Sequence, residues 1–205
     1  MSHSPEQIIL YGGTFDPPHA GHLLCMQEAA AAFPRAQLWM IPAYMPPKIP
    51  CGIKDPLFSF DARVALCERF VALHGLGDRV QVSAVEKDLP IPSYSLQMVE
   101  YFRAHFPQAD CKLLLGSDQF AHFQKWDQPK KIIENAELVV VCRYSDGNEL
   151  PMLEKVATEL QARERILFLH NAYCPAQSTW VRKALATGEE IPASWHVLLP
   201  EGPLS

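Results

Sequence analysis

Residues 8–22 have the sequence IILYGGTFDPPHAGH, in which an apolar run passes through two glycines into two prolines and two histidines. The apolar residues Ile8–Tyr11 predict a buried strand, and the alanine-rich segment Gly21–Phe33 predicts a helix. Glycine lets the backbone approach a ligand closely, and proline stiffens the entry to a helix. The stretch therefore predicts a strand, a tight turn and a helix whose N-terminus suits an anion.

Apolar runs alternate with longer helical patterns along the rest of the chain. The runs are rich in Val, Ile and Leu and predict strands covered on both faces: Gln37–Ile41, Val80–Val85, Cys111–Leu115, Leu138–Cys142 and Ile166–Leu169. The helical patterns are Phe60–Leu73, Ser95–His105, Leu150–Ala162 and Ser178–Thr187. This alternation predicts an α/β fold with a parallel sheet and helices on both faces. We expect a single domain over residues 1–205, with residues 170–205 as a small C-terminal helical lobe.

Composition narrows the class of protein. The chain has 205 residues, of which 48% are hydrophobic, and a net charge of -5, which argues against broad nucleic-acid binding. Its six cysteines contain no CxxC pair, which favours reduced thiols of a cytoplasmic protein over a disulfide framework or a zinc site. The N-terminus resembles no signal peptide, and no apolar run approaches the roughly 20 residues of a membrane span.

The two histidines of the opening stretch have a physical interpretation of their own. His19 and His22 are three residues apart, so they share one face of the first helical turn. Each imidazole can donate a hydrogen bond and, when protonated, adds positive charge. With the helix N-terminus they predict a polyphosphate pocket. The alternative is a plain glycine turn with packing or capping histidines. A zinc site lacks a third nearby ligand, and neither the dinucleotide fingerprint nor the P-loop is present.

Polar residues that follow later strands suit the same chemistry. Ser178 and Thr179 can cap the last helix and help its N-terminus bind an anion, and Arg182 lies one turn further. Asp118 can accept hydrogen bonds from ribose hydroxyls, and Trp126 can stack on a flat ring. Each also has a purely structural alternative: a capped helix with a surface arginine, an N-cap aspartate and a core tryptophan.

These motifs together resemble one family. GGTFDPPHAGH resembles the GGTFDPxHxGH signature of nicotinate-nucleotide adenylyltransferases, which belong to the nucleotidyltransferases with an HxGH motif. Further family motifs follow in order over residues 8–188: Tyr44–Lys48 (YMPPK), Pro92–Ser95 (PSYS), Gly116–Asp118 with Trp126, Val140–Arg143 and Gln177–Arg182 (QSTWVR). Arg63 resembles a recurrent family arginine, and a solvated arginine on the helix surface explains it equally well.

The resemblance implies a Rossmann-like doubly wound sheet and an activity. The enzyme would transfer the adenylyl group of ATP to nicotinate mononucleotide, giving deamido-NAD and pyrophosphate in NAD biosynthesis. His19 and His22 would be catalytic, and Asp16 would fix the turn in preference to touching a metal's water shell. ATP and its phosphates would meet Gly12, Gly13, Thr14, Phe15, Lys48, Gly116, Asp118, Arg143, Ser178, Thr179 and Arg182. The pyridine nucleotide would meet Tyr94, Ser95, Trp126 and Asp127.

The resemblance also implies a cofactor and partners. Mg²⁺ would be held mainly by the ATP phosphates, with no metal ligands from the chain itself. The partners would be ATP and a pyridine mononucleotide, with no nucleic acid and no membrane. Whether the protein forms a homo-oligomer stays open.

Several positions depart from the family pattern. Asp127 places a carboxylate beside the expected carboxylate-binding pocket, Gln177 replaces a serine, Lys48 lacks a preceding histidine, and the chain ends soon after Leu199-Pro200. Asp127 and Gln177 keep open a sister nucleotidyltransferase that uses nicotinamide mononucleotide or CTP. A catalytically silent nucleotide-binding regulator is a further alternative, against which the presence of both His19 and His22 argues.

Overall fold

A parallel sheet forms the centre of the protein. The computed structural model describes residues 4–46, 55–142, 149–170 and 174–200. In this part of the chain the sheet has six strands in the order β3-β2-β1-β4-β5-β6, all paired in parallel. They are β1 Gln7–Gly13, β2 Gln37–Pro42, β3 Val80–Val82, β4 Asp110–Gly116, β5 Glu137–Cys142 and β6 Ile166–His170. The strand order reverses between β1 and β4, which confirms the Rossmann-like doubly wound fold.

Helices cover both faces of this sheet. Within the described residues they are α1 Ala20–Ala32, α2 Phe60–Leu73, α3 Ser95–His105, α4 Ser117–Phe120, α5 Pro129–Asn135, α6 Leu150–Glu159 and α7 Ser178–Thr187. One core cluster joins α3, α5 and α6 to the sheet through residues such as Leu10, Val99 and Leu153. The other joins α1 and α2 through residues such as Met26 and Phe70. The near-continuous apolar strands follow from this burial on both faces.

Some predicted elements have different bounds. The predicted strand Val80–Val85 ends at Val82, because the Val85 amide donates to the Ser83 hydroxyl at 3.3 Å and turns the chain into a short 3-10 helix. The helix predicted over Leu150–Ala162 ends at Glu159. The short helices α4 and α5 were not predicted, since four and seven residues are too few to show a helical period.

The last part of the chain packs back on the first. α7 contributes the buried side chains of Val181 and Ala184, and Trp180 contacts Trp195 with ring centroids 4.7 Å apart. Leu198 packs against the cluster under α1 and α2. A C-terminal helical subregion on one domain remains our prediction for the whole chain. No helix among the described residues is long and apolar enough to cross a membrane.

Candidate active site

The turn after β1 is shaped by a close contact between a glycine and an aromatic ring. A Cβ atom on Gly13 would lie 3.0 Å from the Phe15 ring, so a larger residue here would force the ring to shift by a few tenths of an ångström. Phe15 itself is fully buried and has a positive φ of 48°, a conformation that costs a non-glycine residue energy. On the other side, a Cβ on Gly12 would meet the Met98 side chain of α3 at 3.3 Å. The turn is therefore held rigidly where β1 ends at the carboxyl edge of the sheet.

His19 and His22 form a stacked pair at the start of α1. Their ring centroids are 3.8 Å apart, and His22 also meets the edge of Phe15 at 4.9 Å. His19 is the N-cap of α1: its Nδ1 accepts from the Gly21 amide at 3.1 Å. The Nδ1 atom of His22 accepts from the His19 amide, also at 3.1 Å.

These hydrogen bonds fix the tautomer of both rings. A backbone amide only donates, so each Nδ1 must be unprotonated and each ring proton lies on Nε2. The capping alternative is thus correct for His19, but it does not exclude the functional interpretation, because capping uses Nδ1 and leaves Nε2 as a donor.

Asp16 anchors the turn, as predicted. Its side chain is fully buried, and its carboxylate accepts from the Leu57 amide at 2.7 Å and the Phe58 amide at 2.9 Å. Arg182 also approaches this carboxylate, at 3.5 Å. Both carboxylate oxygens thus hold protein groups, which argues against a metal-binding role for Asp16.

Arg63 lies beneath the same turn, and the solvated alternative is wrong for it. Its side chain is only 1% exposed. The guanidinium donates to the Thr14 carbonyl at 2.8 Å and to the Phe58 carbonyl at 3.2 Å. Burial lowers its pKa, while the charge of Asp16 and the more distant Glu86 opposes that shift. Arg63 therefore positions the backbone of the turn from below.

The start of α7 docks against this turn, more than 160 residues away in sequence. The Ser178 hydroxyl donates to the Pro17 carbonyl at 3.3 Å. The Arg182 guanidinium donates to the Asp16 carbonyl at 3.1 Å and to the Thr179 hydroxyl at 3.2 Å. The structure thus brings these three predicted phosphate ligands together with the histidine turn. Gln177 is the N-cap of α7 and makes no side-chain cap among the described residues.

The predicted pyridine residues lie on loops at the same edge of the sheet. Tyr94 and Ser95 are half-buried at the start of α3, where the Tyr94 amide donates to Gln97 Oε1 at 3.1 Å. Trp126 is half-buried and packs on the Phe123 ring, with centroids 5.1 Å apart. The Asp127 side chain is exposed, and its carboxylate accepts from Gln128 Nε2 at 3.1 Å.

The loop after β4 does not use Asp118 as the cap of the following helix. Gly116, not Asp118, is the N-cap of α4, and Asp118 is exposed in its first turn. The N-cap alternative is therefore wrong for Asp118. Lys48 and Arg143, the other predicted phosphate and nucleotide ligands, lie outside the described residues.

Comparison with known proteins places the chain in a family. A family model described as cytidylyltransferase-like matches residues 10–184. A protein of Christiangramia forsetii, named "Probable nicotinate-nucleotide adenylyltransferase", is 30% identical over 186 residues, covering 91% of this chain and 89% of the relative. The chain belongs to the nicotinate-nucleotide adenylyltransferases of the cytidylyltransferase-like family. The resemblance inferred from the sequence motifs is therefore confirmed.

A second relative agrees with that assignment, and two solved structures have the same fold. A relative from Gloeobacter violaceus with the same name is 30% identical over 199 residues, covering 96% of this chain and 90% of the relative. The Plasmodium falciparum nicotinic acid mononucleotide adenylyltransferase complexed with NaAD has a TM-score of 0.66 at 14% identity, with 88% of this chain and 84% of that chain covered. The same enzyme complexed with APC also has a TM-score of 0.66. These solved structures support the fold.

Two buried residues near the site were missed by sequence reasoning. Glu86 and Ser93 are 5% and 8% exposed, and each accepts a hydrogen bond from the backbone that follows β2. Ser93 is part of the PSYS motif, but it was given no role. Glu86 is followed by the exposed Lys87 and Asp88, so a single sequence offers no signal that separates it from a solvated charged segment.

Proposed function

We propose that this protein transfers the adenylyl group of ATP to nicotinate mononucleotide, giving deamido-NAD and pyrophosphate in NAD biosynthesis. One observation carries the proposal: in a chain of this family, both histidines of the HxGH turn are held as Nε2–H donors at the N-terminus of α1. The relatives named as nicotinate-nucleotide adenylyltransferases, and the related fold that was solved with NaAD, support this choice of substrates.

The reaction depends on positioning and charge stabilisation. The nucleophile is a phosphate oxygen of the mononucleotide, which is already anionic, so no strong base is needed. It attacks the α-phosphorus of ATP, and the bond from that phosphorus to the bridging oxygen of pyrophosphate breaks. His19 and His22 donate from Nε2 to the phosphate oxygens as negative charge develops. The backbone of Gly13 and Thr14, fixed by Arg63, supports the reacting phosphate.

The remaining phosphate charge of ATP would be bound by residues of α7 and by two further basic residues. Ser178, Thr179 and Arg182 lie at the N-terminus of α7, which is itself favourable for anions. Arg182 already holds the Asp16 backbone and is 30% exposed at its side chain, so it can meet a phosphate while keeping the turn in place. We assign Lys48 and Arg143 to ATP as well, on the family motifs alone.

The pyridine ring and the ATP ribose would bind at the loops before α3 and after β4. We propose that Trp126 stacks on the pyridine ring and that backbone amides near Ser95 and Asp127, together with Tyr94, hold the nicotinate carboxylate. Asp118 and Gly116 would contact the ATP ribose. The Asp127 carboxylate faces solvent and Gln128, where its repulsion of a substrate carboxylate is about 1 kcal/mol or less. This placement is compatible with a nicotinate carboxylate in the pocket.

Mg²⁺ is the proposed cofactor. Among the described residues no group of three His, Cys, Asp or Glu side chains could hold a metal ion, and the Asp16 oxygens are occupied by protein donors. This donor set fits an ion that is held by ATP phosphates and water, as Mg²⁺ usually is. When bound, the ion would neutralise charge on the pyrophosphate. We place the reaction in the cytoplasm, on the strength of the scattered reduced cysteines.

A substrate matrix tests the proposal. Pyrophosphate release is measured with nicotinate or nicotinamide mononucleotide, each paired with ATP or CTP, in the presence of Mg²⁺. We expect the highest kcat/KM for nicotinate mononucleotide with ATP. A preference for the amide or for CTP would identify a sister nucleotidyltransferase instead. Binding of ATP without release from any pair would indicate the silent regulator.

A further inference from the structure

Glu86 is a buried carboxylate that the proposed reaction does not use. It lies in the short 3-10 helix after β3 and is 5% exposed. Burial raises the pKa of its carboxyl, while Ser93, the Tyr44 amide and the charge of Arg63 favour the ionised form. A buried carboxylate is costly unless hydrogen bonds compensate it, so the partners of Glu86 indicate what it holds.

Those partners belong to two loops at the edge of the site. Glu86 Oε2 accepts from the Tyr44 amide at 3.0 Å, and the Ser93 hydroxyl donates to the same carboxyl group. The Ser93 oxygen also accepts from the Met45 amide at 3.1 Å, and the Ser93 amide donates to the Met45 carbonyl at 2.8 Å. Glu86 and Ser93 together thus fasten the segment after β2 to the segment before α3.

Each fastened segment leads directly into proposed substrate ligands. In sequence, Tyr44 and Met45 precede Lys48 by four and three residues, and Ser93 immediately precedes Tyr94 and Ser95. A shift of either segment would change the distance between the phosphate-binding loop and the pyridine pocket. Misplacement of binding groups by about 1 Å is enough to lower activity strongly.

We propose that Glu86 and Ser93 are a positioning pair that sets the pyridine-nucleotide subsite by fixing these two loops relative to each other. This inference rests on the proposed function, since it names the subsite of that reaction. Neither residue contacts the reacting atoms. Their effect passes through Tyr44, Met45 and the start of α3.

Steady-state kinetics of Ser93→Ala and Glu86→Ala test the pair. We expect each variant to raise the KM for nicotinate mononucleotide about tenfold, with kcat within about threefold of the wild type. The double variant should be little worse than either single one, because the two residues act in one network. Glu86→Gln should restore much of the lost affinity, since its amide oxygen can accept from the Tyr44 amide.

Thr158→Ala on α6 is the control. It also removes a hydroxyl that makes one backbone hydrogen bond, donated to the Glu154 carbonyl at 2.9 Å, and α6 carries none of the proposed ligands. We expect its KM to equal that of the wild type. Ser93→Ala alters only one hydroxyl, so it keeps the test decisive if Glu86→Ala does not fold.

The outcomes separate this inference from the proposed function. Wild-type enzyme that releases no pyrophosphate with any substrate pair refutes the proposed function and the inference with it. Active wild type whose KM is unchanged in Ser93→Ala refutes the positioning role alone, even if the thermal midpoint falls. An equal rise of KM in Thr158→Ala and Ser93→Ala would also overturn it, because the effect would then be a general consequence of losing one hydroxyl hydrogen bond.

Discussion

His19 has two roles in this account, and a pair of substitutions separates them. Its Nδ1 caps α1 through the Gly21 amide, while its Nε2–H is the proposed donor to phosphate. His19→Ala removes both groups. His19→Asn replaces Nδ1 with an amide oxygen at a position where asparagine is among the best N-caps, but it has no donor at the position of Nε2.

The magnitudes follow from these contacts. Loss of an N-cap costs about 0.5–2 kcal/mol, and His19→Ala also loses a 97%-buried ring that stacks on His22. We therefore expect a loss of roughly 1–3 kcal/mol for Ala, which lowers the thermal midpoint of a protein of this size by about 3–10 °C. His19→Asn should lose less than about 1 kcal/mol. Both should lower kcat by about 10²–10³, the usual effect of removing one charge-stabilising donor.

Two assays on the same preparations separate the capping role of His19 from its role as a donor to phosphate. Thermal unfolding gives the midpoint of each variant, and pyrophosphate release at saturating substrates gives kcat for the folded enzyme. A His19→Asn enzyme with kcat within tenfold of the wild type would refute the donor role. Equal stability losses in the Ala and Asn variants would refute the capping argument.

Three further predictions concern stability around the site. Arg63→Met should lower the free energy of unfolding in urea by about 3–5 kcal/mol, since it leaves two buried backbone carbonyls without their donor and removes the positive charge near Asp16 and Glu86. Arg69→Met on the same helix, at an exposed position, should change this free energy by less than about 1 kcal/mol, and equal losses in the two variants would contradict the argument. Gly13→Ala should lower the free energy of unfolding by about 1–3 kcal/mol and should lower kcat, because its Cβ would press on the buried Phe15 ring. An unchanged thermal midpoint would show that the turn is not tight. Burial and nearby His196 lower the pKa of His74, so folding favours the neutral ring, and stability should fall as pH drops below its ordinary pKa of 6.5. Thermal midpoints from about pH 8 to about pH 5.5 should therefore fall less in His74→Gln than in the wild type, and parallel curves would contradict this.

The strands and long helices followed from sequence because their signals are local. Apolar runs such as Leu138–Cys142 lie in the centre of the sheet, where burial on both faces removes any alternation. Phe60–Leu73 and Ser95–His105 begin and end where the helical pattern predicted. The short helix α4 was missed because its four residues show no period.

The site was predictable where a motif identified it, and less so where long-range packing decided it. His19 and His22 were recognised from their spacing, but their tautomers depend on backbone contacts that only the structure shows. The burial of Arg63 depends on its contact with Thr14, 49 residues away. The role of Glu86 depends on Tyr44, 42 residues away, for which a single sequence contains no signal.

The central claim is that the bond to the α-phosphorus of ATP breaks and that the adenylyl group moves to the mononucleotide. The most direct test follows radioactive phosphate from ATP labelled at either the α- or the γ-position during reaction with nicotinate mononucleotide. The account predicts that the α-label appears in deamido-NAD and the γ-label in pyrophosphate. Formation of ADP, or transfer of the γ-label to the mononucleotide, would contradict it.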